Sequence, residues 1–265
     1  MHLPRLNELD RQQESWRPPL FRPVRTLRDR LAAAVRRFLD LQGGTIWRDL
    51  RTLLAECQGT VLDVGCGAQP YRSLLPPKVS YIGIDDAEAP ERFGYEMPDT
   101  LYFEGARWPV ATGSVDVVLS TETLEHVPDP SGFLAEASRC LRRGGRLILT
   151  VPFSARWHFL PFDYWRFTPS GLGTLLSGAG FDSIAVYARG NAVTVACYKL
   201  MAVPLACLLP RTGPTWRRVL ILGIGLACLP AVFLIAAVAN LSLMFPGGAD
   251  CLGYTAVARR VDSPH

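Results

Sequence analysis

Lysine is almost missing from this chain: Lys78 and Lys199 are the only two, so its basic charge is nearly all arginine. Charged residues fill only 20% of the 265 positions and leave a net charge of +4. A surplus that small, mixed with Asp and Glu, does not make a nucleic-acid surface, and no nucleic-acid partner is expected. No Cys-x-x-Cys pair occurs among the seven cysteines, Cys57, Cys66, Cys140, Cys197, Cys207, Cys228 and Cys251. They read as small buried hydrophobes in a reducing compartment rather than as a disulfide frame. No Cys/His/Asp set has metal-ligand spacing, so no metal is expected, and no Ser/His/Asp nucleophile turn is visible. The opening MHLPRLNELDRQQES lacks an apolar core, which speaks against a secretory signal.

What the chain has in excess is apolar surface: 49% hydrophobic residues and a mean hydropathy of +0.15. The excess is local. Val219 to Phe245 is a run of 27 residues without a charge. Length and hydropathy alone would license a spanning helix, but Arg217 and Arg218 at its front should stay cytoplasmic. A single crossing would then strand the end of the chain on the far side. Pairing it with Val193 to Leu209 restores an even count at the cost of Arg211, Arg217 and Arg218 outside and Lys199 in the bilayer. A bend at Pro230 and Gly223/Gly225 instead gives two helices of about 16 and 22 Å, too short to cross. The monotopic arrangement is favoured, with a spanning pair and a protein-covered hairpin left open.

Ahead of that run the chain alternates. Residues 1–25 are polar, Arg-rich and broken by Pro4, Pro18, Pro19 and Pro23, an extended or partly disordered lead-in. Thr26 onward places Leu27, Leu31, Ala34, Val35, Phe38 and Leu41 on one helical face, ending at Gly43 and Gly44. That helix packs on the domain or lies on a membrane. A second helix is expected over Ile46 to Cys57. Val61 to Leu75, VLDVGCGAQPYRSLL, is then a strand ending on Asp63 and a glycine turn, where backbone N–H groups at a helix start can meet an anionic ligand. Gly65 and Gly67 supply the freedom and the missing side chains, but no third fingerprint glycine follows. Asp85 ends the next strand 22 residues beyond Asp63, where a carboxylate can accept from both hydroxyls of a ribose. Strands follow at TLYFEG, SVDVVLS and RLILTVP, with the helix FLAEASRCLRRGG closed by Gly144 and Gly145. The alternation implies right-handed crossovers in a doubly wound parallel sheet.

VLDVGCG, YIGIDD, SVDVVLSTETLEHVPDP and LRRGGRLILTVP, in that order and spacing, resemble the class I S-adenosylmethionine-dependent methyltransferases, in particular the type 11-like small-molecule group with an LEHV segment. The resemblance covers about residues 58 to 187. It implies an α/β, Rossmann-like, seven-stranded sheet with the last strand antiparallel, Phe181–Arg189 and Leu252–Arg260 being strands six and seven. The expected organisation is an Arg-rich lead-in with amphipathic helices over 1–57, a methyltransferase domain over 58–190 and 251–262, and a hydrophobic insert over 191–250.

By the same resemblance the cofactor is S-adenosylmethionine. The turn Gly65-Cys66-Gly67 offers N–H groups to its methionine carboxylate, Asp63 meets the ammonium, Asp85 takes the ribose, and Glu104 and Gly105 meet the adenine. Glu122 falls near the methionine end. An oxygen or nitrogen acceptor also needs a proton acceptor, and of four histidines two fall where this chemistry would sit, His126 and His158. Asp163, Tyr164 and Arg166, beside His158, suit a sugar or prenyl-phosphate headgroup, or a lid over the cofactor. The expected function is methyl transfer to a small-molecule, lipid-linked or glycan-pathway acceptor at the cytoplasmic membrane face. A non-catalytic cofactor-binding scaffold is the alternative, and a nicotinamide-dependent oxidoreductase is disfavoured by the missing third glycine.

Overall fold

The computed structural model describes residues 26–208 and 214–261. The Arg-rich lead-in and Arg211 lie outside the described residues. Seventeen regular elements succeed one another among the described residues, seven of them strands: β1 (Thr60–Val64), β2 (Ser80–Asp86), β3 (Thr100–Phe103), β4 (Val115–Thr121), β5 (Leu141–Pro152), β6 (Phe181–Arg189) and β7 (Gly253–Arg260). They form one sheet in the order β3-β2-β1-β4-β5-β7-β6, with the pairs among β1 to β5 parallel and the last strand antiparallel. The hydrogen bonds flanking β6 and β7 run accordingly: Leu252 N–H reaches Arg189 O, and Val261 N–H reaches Gly180 O. Strand order therefore reverses between β1 and β4, the place where open α/β sheets bind ligands beyond the carboxyl ends of their strands. Val61, Leu62, Ile84, Val118 and Ile148 are fully buried in the centre of this sheet, the near-continuous apolar pattern of strands covered on both faces.

The backbone divides into two compact units. One comprises Asp49–Tyr187 and the chain from Tyr254 onward; the other is Ala188–Gly253 joined by the described residues up to Arg48. In the first unit, α4 (Pro130–Cys140) stops at Cys140, not at the glycines, and Leu141 already belongs to β5. Val115 pairs with Leu141 but Val117 pairs with Arg146, so the Arg-Arg-Gly-Gly segment is a bulge within the strand, where an extra loop of backbone is absorbed by local twist.

The second unit holds α1 (Leu27–Leu39), the front of α2 (Leu41–Ala55), α6 (Ala192–Cys207), α7 (Thr215–Ala227) and α8 (Leu229–Ser242). Gly43 and Gly44 do not end a helix. Asp40 interrupts the chain instead, and its carboxylate accepts from Gly43 N–H to start α2. A side chain at Gly44 would lie 2.3 Å from the Arg37 carbonyl, so glycine there lets the two helices turn a tight corner. The apolar run bends by 45° between α7 and α8, at Cys228, with Pro230 in the first turn of α8. Gly223 and Gly225 stay inside α7. A side chain at Gly225 would meet Cys207 and Leu208 at about 3 Å, so its role is close helix contact. Val232, Ala236 and Ala239 of α8 bury against Val195, Cys197 and Met201 of α6, with Leu41 and Leu252.

Candidate active site at the strand tips

Parallel register sets where the two acids stand. Asp63 pairs with Gly83 and with Leu119, while Asp85 lies two residues further along β2; at about 3.3 Å per residue this offsets the carboxylates by about 7 Å along the strands. The turn after β1 is sewn to β2. Gly65 N–H and Cys66 N–H both donate to Ile84 O, at 3.0 and 3.2 Å, and Gly67 N–H donates to Asp85 Oδ2 at 2.8 Å. The expected cradle of spare N–H groups is thus corrected: these donors aim the Asp85 carboxylate and close the turn rather than wait for a ligand carboxylate. Cys66 turns its thiol inward to Thr100.

Both glycines are in the left-handed region, Gly65 at φ 70° and Gly67 at φ 49°, but for different ends. A side chain on Gly65 would collide with Thr123 at 2.4 Å, whereas one on Gly67 would meet only the Tyr95 hydroxyl, 3.8 Å away. Gly67 therefore faces open space beside Asp85. Tyr95, which sequence reasoning missed, has a buried hydroxyl without a hydrogen-bond partner.

Asp63 is buried, its Oδ2 accepting from the Tyr81 hydroxyl at 2.8 Å and its Oδ1 left without a hydrogen-bond partner. Burial pushes its carboxyl up to about 7, opposed by the Tyr81 hydrogen bond and reinforced by the Asp85 charge. Burial raises Asp85 as well, while the N–H groups of Gly67 and Asp86 hold it back. An unpaired buried acceptor of this kind fits a ligand ammonium; a rigid acid with spare lone pairs fits a vicinal diol. Glu104 and Gly105 follow β3 and are both exposed. Glu122 sits just past β4 at φ 49°, its N–H donating to Thr150 O, a strained backbone of the sort found at ligand sites.

The loop after β5 folds back over the 3₁₀ turn Leu124–His126. Tyr164 and Trp165 N–H both donate to Glu125 O, and the Trp165 indole donates to Val127 O. His126 Nδ1 lies 3.0 Å from the Phe162 carbonyl; a carbonyl only accepts, so Nδ1 carries the hydrogen and Nε2 is the basic nitrogen. Burial pushes His126 down to about 4, which keeps it neutral at pH 7. His158 stands beside it, ring centroids 5.0 Å apart. Asp163 and Arg166 form a two-pronged ion pair at 2.6 and 2.8 Å, and Arg166 also reaches the carbonyls of Trp165 and Arg156. Burial works against the Asp163 charge, but the Arg166 and His158 hydrogen bonds outweigh it and hold the carboxyl well below the usual range. Their polar capacity is spent on shaping the loop, which leaves Tyr164, about half exposed, as the member of that trio turned outward.

Glu125 is the other residue sequence reasoning missed. It is fully buried, and neither carboxylate oxygen has a hydrogen-bond partner. Burial first, and the Glu122 charge second, raise its pKa far above the ordinary carboxyl value. In LEHV it looks like one more polar residue of a surface turn; only the folded-back loop encloses it.

Comparison with known proteins bears on the fold and the family. Residues 62–149 match the family described as methyltransferase domain. The chain is 32% identical over 142 residues to a probable S-adenosylmethionine-dependent methyltransferase of Mycolicibacterium smegmatis, covering 49% of this chain and 55% of that protein. It is 32% identical over 128 residues to the ubiquinone biosynthesis O-methyltransferase of Pseudomonas paraeruginosa, covering 40% and 48%. The chain thus spans about half the length of each. Among solved structures, the [4+2]-cyclase SpnF shares the fold with a TM-score of 0.51 at 21% identity, covering 81% of both chains. A putative methyltransferase in complex with the Haloferax volcanii Trm112 activator does so with 0.51 at 18%, covering 91% of this chain and 100% of that one.

Two substitutions at the turn separate folding from binding. Gly65→Ala is expected to lower the thermal midpoint, because the new methyl group meets Thr123 in a strained conformation. Gly67→Ala should cost only about 1 kcal/mol of stability while reducing ligand affinity in calorimetry; equal affinity in Gly67→Ala and the parent would mean the ligand does not pass over this turn.

Asp63 gives a pH test. Its folded pKa of about 7 exceeds the unfolded value of about 3.9, so its contribution to stability is complete below the unfolded pKa and is lost as pH rises through about 7. Asp63→Asn should therefore melt higher than the parent at pH 8 and bind ligand more weakly. A variant no more stable than the parent at pH 8 contradicts this.

Proposed function

Residues 62–149 form a class I S-adenosylmethionine-dependent methyltransferase domain, and from that premise we propose that the chain transfers a methyl group to a small-molecule, lipid-linked or glycan-pathway acceptor at a membrane surface. S-adenosylmethionine, when bound, supplies an electrophilic methyl group on a sulfonium. The residues present fit it. Asp85 is the ribose acceptor and Asp63, with its unpartnered Oδ1, the ammonium acceptor; open space at Gly67 admits the ligand past the turn. Displacement at a sulfonium carbon asks the protein mainly for alignment and exclusion of water. The aromatic chain Tyr95, Phe93, Phe159 and His126, packed ring against ring, supplies the exclusion. His126 and His158 are the nearby groups able to manage the acceptor's proton. The observation that carries the reading is the pair of buried acids at adjacent strand tips, Asp63 and Asp85.

Membrane action is supported by the second unit. No single described helix is long and apolar enough to cross a membrane, although the bent pair α7 and α8 passes that test by length and composition. Each helix alone, at 13 and 14 residues, rises only about 20 Å against a hydrocarbon core of about 30 Å. Both are covered outwardly by large apolar side chains, with Trp216, Val219, Leu220, Leu234 and Leu241 all more than half exposed. Their inner faces bury small residues. Leu27 and Leu31 on α1 are exposed too, between arginines, the pattern of a helix lying in an anionic interface. Lipid-surface contact explains an apolar area that water would not tolerate.

Labelled-methyl transfer into a membrane extract plus cytosol tests the activity, with Asp85→Ala as control. Asp85→Ala is expected to weaken S-adenosylmethionine binding by about tenfold or more, the worth of a charge-assisted hydrogen bond pair; unchanged affinity would remove the ribose assignment. For the surface, the protein should float with phosphatidylglycerol-containing vesicles and resist salt, while Leu220→Glu/Leu234→Glu should stay at the bottom of the gradient. Flotation unchanged in that variant would contradict contact through α7 and α8.

A further inference from the structure

Three side chains from two separate loops meet under the aromatic cover: Glu125 and His126 in the turn after β4, and His158 in the loop after β5. Each offers one ligating atom, and these atoms all lie within 4.8 Å of one another. Glu125 is the member that demands an explanation, since a fully buried carboxylate with both oxygens unpartnered is costly unless a counter-charge arrives. Glu122 and Asp163 act on it with further negative charge, opposed by its own backbone N–H and by Arg166. The enclosure is built for a cation.

The imidazoles are held as metal-bound imidazoles are. His126 Nδ1 donates to the Phe162 carbonyl at 3.0 Å, while His158 Nδ1 lies 3.1 Å from Arg156 O and 3.2 Å from Asp163 Oδ2. Outer contacts of this type, to a carbonyl on one ring and to a carboxylate on the other, fix the tautomer and make Nε2 the basic nitrogen of each ring. His126 Nε2 stands 3.7 Å from Glu125 Oε1. Two ligand atoms each about 2.1 Å from a tetrahedral ion are roughly 3.4 Å apart, so the pair is already near coordination spacing. Spacing along the chain hid the set, because His158 is 32 residues from His126.

We propose that Glu125, His126 and His158 form a two-histidine, one-carboxylate site for a divalent transition-metal ion of the zinc or cobalt class. Three protein ligands leave a position open, the arrangement of catalytic rather than structural ions. That position would take a hydroxyl oxygen of the methyl acceptor: the ion would lower that hydroxyl's pKa, its proton would leave to solvent water, and the oxygen would form its bond to the methyl carbon as the carbon–sulfonium bond breaks with its electron pair left on sulfur; this use of the site rests on the methyl-transfer reading, whereas ion binding does not.

Untagged full-length protein, stripped with a chelator and titrated with Co²⁺, provides the test. The parent should develop a visible d–d absorption that saturates at about one equivalent and is bleached by Zn²⁺. Glu125→Gln, which keeps shape and removes charge, and His158→Ala should each weaken binding by about tenfold or more. A parent spectrum no different from aqueous Co²⁺, or a Glu125→Gln variant that binds as the parent does, overturns the site. Calorimetry with S-adenosylmethionine on the same samples keeps the two readings apart. Cofactor binding without cobalt binding removes the ion site alone, and cobalt binding without cofactor binding leaves the ion site standing.

Discussion

Everything in the candidate site at the strand tips depends on how the turn after β1 is tied to β2. Three consecutive N–H groups, those of Gly65, Cys66 and Gly67, are spent on the last residues of one neighbouring strand. A glycine-rich turn that kept its donors free would bind an anion through backbone dipoles. Here the donors hold Ile84 O and the Asp85 carboxylate in place, which leaves the side-chain acids as the groups the proposed reading assigns to recognition. The ligand such a site favours carries positive charge and hydroxyl donors, which is the character of an adenosyl sulfonium with a free amino group.

Burying acceptor atoms without partners is costly. Asp63 Oδ1 and both oxygens of Glu125 lack hydrogen bonds, and burial raises both groups. In low dielectric the charged form of each is disfavoured unless a cation stands close by. The Asp163–Arg166 pair belongs to a different class. It is satisfied within its own loop and serves to hold that loop over Glu125 and His126.

The sheet was legible because its signals are local. Apolar runs ending on Asp63 and Asp85, and glycines that follow the first, mark strands and their tips without reference to anything distant. Phe181–Arg189 and the final strand lie where the family resemblance placed them. The glycines elsewhere misled. Gly43 and Gly44 look like a helix end but permit a corner between α1 and α2, and Gly144 and Gly145 look like a cap but lie in a strand bulge. In each case composition is ambiguous between a stop and a close approach, and tertiary contact decides. Glu125 and Tyr95 were invisible for a stronger reason. Their burial comes from a loop that returns some forty residues later in the chain for Glu125, and no periodicity records that.

The most direct measurement of the central claim is a crystal structure of the protein with S-adenosylhomocysteine. The account predicts ribose hydroxyls within hydrogen-bonding distance of the Asp85 carboxylate, the amino group on Asp63 Oδ1, and the ligand lying over Gly67. A ligand bound elsewhere, or bound there with Asp63 and Asp85 both turned away from it, would contradict it.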